Sequence, residues 1–312
     1  MKTNFRLLRY SLIFIVCLLL GQVNFAQTDA KPQLQEGLTL LQNQDFETAI
    51  VKFQTILQAE PNNDKARHGL AIALIGTEKF AEASREIAKL LARAPQNAQF
   101  LEMAAQSFWQ QKRFAEAEVV LRRRLVLGDE RAAIWALFGD TLDAQKKTAE
   151  AATAYEKAVK LAPESIDLRY ALGSLYWKQI RYRDAENEYL EILKRQPDEP
   201  RASFNLGDIY LTNGNAVKAL PYLKRAAKAF PNEYDTHFAL GRAFLATRQF
   251  EQAIAEFQIA VKLRSDIPEG YFQLGLALQR FGRREEAKTA FRKAQDLQNA
   301  KRASEKVTNP KN

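Results

Sequence analysis

The sequence predicts an all-α chain built as a solenoid of stacked helical hairpins, and three observations carry that prediction. Apolar residues recur at intervals of three and four almost everywhere after residue 30, without sustained strand alternation. Only 13 Gly and 10 Pro punctuate 312 residues, a helical composition. The stretch YALGSLYW at 170–177 returns as FNLGDIYL from Phe204, FALGRAFL from Phe238 and FQLGLALQ from Phe272, each 34 residues after the last. A fixed period of this kind marks a repeat array.

The first residues stand apart from the array. MKTNFRLLR carries Lys2, Arg6 and Arg9 with no acid, and SLIFIVCLLLG is an apolar run of 11 residues followed by the polar QVNFAQTDA. That order is expected of a secretory signal peptide, and the run is too short to span a bilayer comfortably. Residues 1–26 are read as the signal, with cleavage after Ala26 or, alternatively, after Ala30; an uncleaved leader would anchor the chain to a membrane. Val16 before Cys17 does not fit a lipid-attachment box. Cys17 is the only cysteine, so the exported chain would rely on packing rather than disulfides. Loss of three bases takes the formal charge from +9 to +6. The expected location is periplasmic.

With the Gly of each LG pair at position 8, eight units follow without insertion or deletion: 30–63, 64–97, 98–131, 132–165, 166–199, 200–233, 234–267 and 268–301. Position 8 holds only Gly or Ala, and position 20 holds Ala in every unit, from Ala49 through Ala185 to Ala287. Gly inside a helix costs about 1 kcal/mol relative to Ala, so its repeated use needs a packing reason. Close approach of two helices supplies it, with the large residue at position 24 (Phe53, Tyr155, Tyr189, Phe257 and Phe291 among them) filling the space. Pro61, Pro95, Pro163, Pro197 and Pro231 stand at position 32, where they end the second helix. Each unit is therefore helix A, a tight turn, helix B and a stop.

Repeat 4, with Trp135, Phe138, Gly139, Leu142, Ala151, Tyr155, Ala158 and Pro163, resembles the tetratricopeptide repeat signature almost completely, and the other units keep its small and large positions. The resemblance covers residues 30 to about 300. It implies a right-handed superhelix whose A helices line a concave groove. Repeat 3 departs from the pattern: Arg124 stands at position 27, where a small or apolar residue is usual, and Asp129 where proline is usual. Its Arg122 to Arg124 run is read as a solvated helix face with one snorkelling stem, and the departures imply either a looser hairpin or a helix B that ends at Gly128. Residues 302–312 are read as a polar C-terminal tail.

Nothing in the chain points to catalysis. There are two histidines, His68 and His237, each read as satisfied or solvated, and no phosphate-cradling loop or metal-ligand spacing. No enzyme activity, metal or cofactor is expected. The function is expected to lie in the groove, where the resemblance places positions 2, 5, 9, 12 and 13 of helix A. Position 5 reads Tyr170, Phe204, Phe238 and Phe272 in four consecutive repeats, and position 12 adds Trp177, Leu211 and Leu245. With Asp208 and Arg242 at position 9, these form the candidate partner-binding groove; the alternative that the resemblance implies is that the aromatics at positions 5 and 12 only brace helix A against its neighbour. Helices about 8 to 10 Å apart make the aromatic ladder about 30 Å long, enough for roughly nine residues of extended peptide. The polar clamp for a free C-terminal carboxylate needs Asn at position 9, which is absent throughout. Across repeats 3 to 8 the groove positions hold seven acids and four bases.

The expected protein is thus a bacterial envelope scaffold that binds a protein or peptide segment, neutral to basic with apolar side chains. The alternative is an anionic envelope polymer held by outer bases such as Lys146, Lys147, Arg181, Arg183, Arg283 and Arg284. Nucleic acid is not expected, because the basic residues are dispersed.

Overall fold

The computed structural model describes residues 32–128 and 131–308. The expected signal peptide and Asp129 lie outside the described residues. The described chain is helical hairpins without a strand, in two compact units divided after Pro163.

The first unit holds α1 (Pro32–Gln42), α2 (Phe46–Ala59), α3 (Asp64–Gly76), α4 (Phe80–Arg93), α5 (Ala98–Gln110), α6 (Phe114–Val126), α7 (Ala132–Ala144) and α8 (Thr148–Leu161). The second holds α9 (Ile166–Lys178), α10 (Tyr182–Arg195), α11 (Pro200–Thr212), α12 (Ala216–Ala229), α13 (Tyr234–Ala246), α14 (Phe250–Leu263), α15 (Pro268–Phe281) and α16 (Arg284–Thr308). Within each unit every helix packs on the next in sequence. This is the expected all-α repeat architecture.

The hairpin cores explain the small residues of the sequence. A methyl group placed on Gly139 would lie 2.5 Å from the Tyr155 ring, and one on Gly241 or Gly275 would lie 2.7 Å from Phe257 or Phe291. The large side chain at position 24 occupies the space that a Cβ at position 8 would need. Phe53 is shared more widely, because its ring also stands 2.3 Å from a methyl built on Gly69 of the following repeat. The alanines at position 20 are buried in all eight repeats.

The turns between A and B helices share one conformation that composition alone does not reveal. Position 15 has a positive φ of 59° to 63° at Gln44, Glu78, Lys112, Lys146, Ile180 and Arg248, and Gly214 and Gly282 take the same place in the other two repeats. The amide of position 16 bonds back to the carbonyl of position 11, as in Asp45 to Leu40 at 2.9 Å and Arg283 to Leu278 at 2.9 Å. That of position 15 reaches position 12, as in Ile180 to Trp177 at 3.0 Å. These paired bonds are the Schellman closure of a helix C terminus. At the other joints, Asn63, Asn97, Ser165 and Glu199 cap the following A helix through their side chains.

Repeat 3 corrects the expectation for its arginine run. Arg124 does not snorkel; it is buried, and its Nε donates to Glu102 Oε1 at 2.7 Å, while Arg131 binds the same carboxylate. Arg122 bridges Glu118 and Glu150, and Arg123 donates to the Pro95 carbonyl at 2.5 Å. Position 27 tolerates the charge because a groove-facing acid of the same hairpin neutralises it. Helix α6 stops at Val126, and Gly128 has φ +79°. Helix α16 continues through the polar residues after 301 to Thr308, since Lys, Arg, Ala and Glu favour helix; the rest of the expected tail, 309–312, lies outside the described residues.

Candidate groove in the second unit

All nine candidate groove residues belong to the second unit, on the first helices of its four hairpins. The spacing of positions 5, 9 and 12 sets them on one side of each helix. Helix α11 packs on α13, and α13 on α15. Asn205 Nδ2 of α11 donates to Tyr170 Oη of α9 at 3.1 Å, which joins the first two rungs.

The ladder side chains have two roles at once. Toward the hairpin they brace helix A against helix B: Tyr170 meets Tyr189 with centroids 5.9 Å apart, Phe238 meets Phe257 at 5.9 Å and Phe272 meets Phe291 at 5.6 Å. Repeat 6 has Leu223 at the corresponding place, and Phe204 makes no such ring pair among the described residues. Toward the groove they stay accessible. Phe272 is 47% exposed, Trp177 at position 12 is 42% exposed, and Tyr170, Phe204 and Phe238 are half-buried. Phe238 is also stacked against Tyr234 at 5.3 Å. Leu211 is half-buried, whereas Leu245 is buried and forms floor rather than wall.

The charged groups of this face are less acidic than the count over repeats 3 to 8 suggests. Asp167, Asp208, Asp235 and Glu269 face Lys178, Arg201, Arg242 and Arg280, four against four. The excess of acid comes from the first unit, where Glu102 is already held by two arginines. Arg201 stacks over the Tyr170 ring at 4.7 Å and pairs with Glu199 at 3.0 Å. Burial pushes the Asp208 carboxyl above its usual range, an effect opposed by the charge of Arg242 and the indole N–H of Trp177.

The two histidines have different surroundings. His237 is satisfied: its Nδ1 lies 2.7 Å from Glu256 and its Nε2 3.1 Å from the Pro231 carbonyl. His68 is not. Its ring meets Phe100 edge-on at 5.3 Å, its Nε2 is buried without a hydrogen-bond partner among the described residues, and burial pushes its pKa down to about 4. It is therefore a neutral aromatic at ordinary pH. Among the described residues no group of three or more His, Cys, Asp and Glu could hold a metal ion, and no helix is long and apolar enough to cross a membrane.

Family models described as tetratricopeptide repeats match residues 40–107, 139–179, 170–234, 210–266 and 268–301. The structure is similar to MamA from Desulfovibrio magneticus RS-1, at 22% identity and a TM-score of 0.53 over 55% of this chain and 97% of that one. It is also similar to YrrB, described as a TPR protein with an unusual peptide-binding site, at 21% identity and 0.52 over 57% of this chain and 92% of that one. The C-terminal part of a TPR repeat-containing protein from Cytophaga hutchinsonii matches at 16% identity and 0.61, over 73% of this chain and 93% of that one. At these identities the likeness is one of fold. No curated protein matches the sequence.

Proposed function

The chain is a tetratricopeptide repeat protein, and from that premise we propose that it is a non-enzymatic scaffold that holds an extended segment of a partner protein on the groove face of its second unit. The carrying observation is the accessible aromatic face formed by Trp177 and Phe272 with the half-buried Tyr170, Phe204 and Phe238 between them. Large exposed apolar surface of this kind usually marks a binding site, and central aromatics commonly dominate such interfaces. The charged, apolar and polar order of residues 1–30 supports a place in the bacterial envelope, reached by export. YrrB, of similar fold, is described as having a peptide-binding site, which fits this reading by analogy.

Trp177 and Phe204 allow binding to be separated from stability, since neither makes a ring pair with helix B among the described residues. Peptides of about nine residues selected from a displayed random library on the wild-type chain should be rich in apolar side chains. The Trp177→Ala/Phe204→Ala variant should melt near the wild-type temperature and lose those peptides by roughly thirtyfold in affinity. Selected peptides that bind the variant unchanged would overturn the groove reading.

A second reading, an anionic envelope polymer on the outer helices, has one supporting observation: α12 carries Lys218, Lys224, Arg225 and Lys228 with no acid. Several other outer bases are already engaged, Lys147 by Glu118, Arg181 by Asp184 and Arg283 by Glu286. Polymer binding that falls steeply with salt and disappears in Lys224→Ser/Lys228→Ser would favour it.

A further inference from the structure

Within the second unit a pocket of about 240 Å³ opens where repeats 6, 7 and 8 meet. Its apolar lining comes from Leu211, Ala216, Leu245 and Ala246, and its charged lining from Arg242 and Arg280. Both arginines are exposed, and among the described residues neither makes an ion pair or a hydrogen bond. The face as a whole is balanced, but among the described residues no acid contacts either guanidinium. Glu269 accepts from Gln273 Nε2 at 2.8 Å, and Asp208 lies close enough to Arg242 to feel its charge without pairing with it.

From this juxtaposition we infer that the pocket takes an acidic peptide segment: an apolar side chain seated on the leucines, with a carboxylate-bearing residue on either side of it to meet Arg242 and Arg280. The inference rests on the groove reading above and gives it a chemistry. Guanidinium groups present a planar fork of donors that matches a carboxylate, and these two are available without breaking an internal pair. An extended chain returns side chains to the same face every second residue, about 7 Å apart, so the fitting pattern is acid, spacer, apolar anchor, spacer, acid. An internal segment is favoured over a chain end because two separate cations line one apolar pocket, whereas a terminus brings a single carboxylate beside its last side chain. At this pocket the inference departs from the neutral to basic partner expected from the count of seven acids and four bases over repeats 3 to 8.

The test uses the full chain and a fluorescein-labelled peptide of about nine residues, amidated at its C terminus, with leucine at the centre and glutamate two positions to each side. Fluorescence anisotropy should show it binding roughly tenfold more tightly than the glutamine version at low salt, with the advantage shrinking at high salt. Arg242→Ser/Arg280→Ser should erase the preference, and Arg242→Glu/Arg280→Glu should transfer it to a lysine version. Equal binding of glutamate and glutamine peptides, or a preference that survives both variants, would overturn the inference. Binding seen only with a free C-terminal carboxylate would also overturn it, in favour of terminus recognition. The Trp177→Ala/Phe204→Ala variant separates this inference from the ladder reading. If that variant keeps the glutamate preference, the pocket stands and the ladder falls. If it alone loses binding while the arginine variants bind as wild type, the pocket falls and the ladder stands.

Discussion

Helices α3 and α13 occupy the same place in their hairpins but have opposite inner faces. In α3, positions 9 and 12 are Ile72 and Ile75, both buried, and residues 69–75 have no accessible side. In α13, Arg242 at position 9 is exposed, Phe238 at position 5 is half-buried, and only Leu245 turns inward. The contrast extends through repeats 1 to 3, where Leu34, Leu38, Leu41 and Gln106 at these positions are buried as well. Positions 8, 20 and 24 make the hairpin and are alike in both units; positions 5, 9 and 12 are free to become either interior or surface. Aliphatic residues there give a helix that is apolar all round, as interior helices are. The closure of that face leaves polar atoms without partners among the described residues, including both amide atoms of Gln106, Nε1 of Trp109 and Nε2 of His68, each a cost to stability.

Truncation of the two faces should sharpen this contrast most. Ile75→Ala removes a fully buried side chain and is expected to lower unfolding stability by about 3 kcal/mol, whereas Trp177→Ala on the open face should change it by about 0.5 kcal/mol or less. Equal losses in urea unfolding would mean that the two faces are alike.

A smaller difference is expected at position 21. Glu118 accepts from Gln145 at 2.8 Å and Lys147 at 2.6 Å, and Arg122 donates to its other oxygen at 2.9 Å. Glu186 in the second unit accepts from Tyr210 at 2.8 Å. Glu118→Gln should cost about 2 kcal/mol and Glu186→Gln about 1 kcal/mol. Burial tends to raise the Glu118 pKa, but the bonds from Lys147, Arg122 and Gln145 prevail and hold it at about 2, below the usual 4.5. Its contribution is therefore complete above the unfolded-state value and fades as pH falls from about 4.5 toward 2. The gap between wild type and Glu118→Gln in acid-melting curves should close over that window; a gap unchanged by pH would remove the ionic explanation.

The smallest effect concerns two aspartates at position 9. Asp140 is pushed up to about 6, first by loss of hydration and then by Asp143, against the opposing bond from Tyr155 Oη at 2.6 Å, but its side chain is open to solvent, which screens the effect. A raised carboxyl favours folding only while protonated, so this contribution disappears as pH rises through about 6. Asp140→Asn should therefore gain in melting temperature relative to wild type between pH 4 and 7, about the span of the two titrations. Asp208 is raised as well, with Arg242 holding it down, so Arg242→Ser should move its carboxyl resonance to a higher titration midpoint. No movement would show that Arg242 does not act on that face.

The hairpin register was legible because it is written in volume: a Gly at position 8 and a ring at position 24 answer one another in the same 34 residues. The aromatic rungs were legible as positions that serve either to bind or to brace helix A, but not that position 5 does both by presenting one edge to the hairpin and the other to the groove. Arg124 misled because its partner Glu102 lies 22 residues earlier on the facing helix, a separation that local periodicity does not reach. The division after Pro163 was invisible, since the repeat passes through it unbroken. The pocket of Arg242 and Arg280 joins side chains from three repeats, and only their placement shows two cations sharing one apolar seat.

The turns at position 15 imply a way of keeping time along the chain. A left-handed residue costs an L-amino acid about 1 to 2 kcal/mol, and six of the eight turns hold one, including the β-branched Ile180. Such a bend admits no intermediate setting: one residue more or fewer would bring a different amide to each carbonyl and undo the closure. The regular beat of the sequence is thus kept by a mirror-image step at a single residue, repeated hairpin after hairpin, as an escapement releases a clock one tooth at a time.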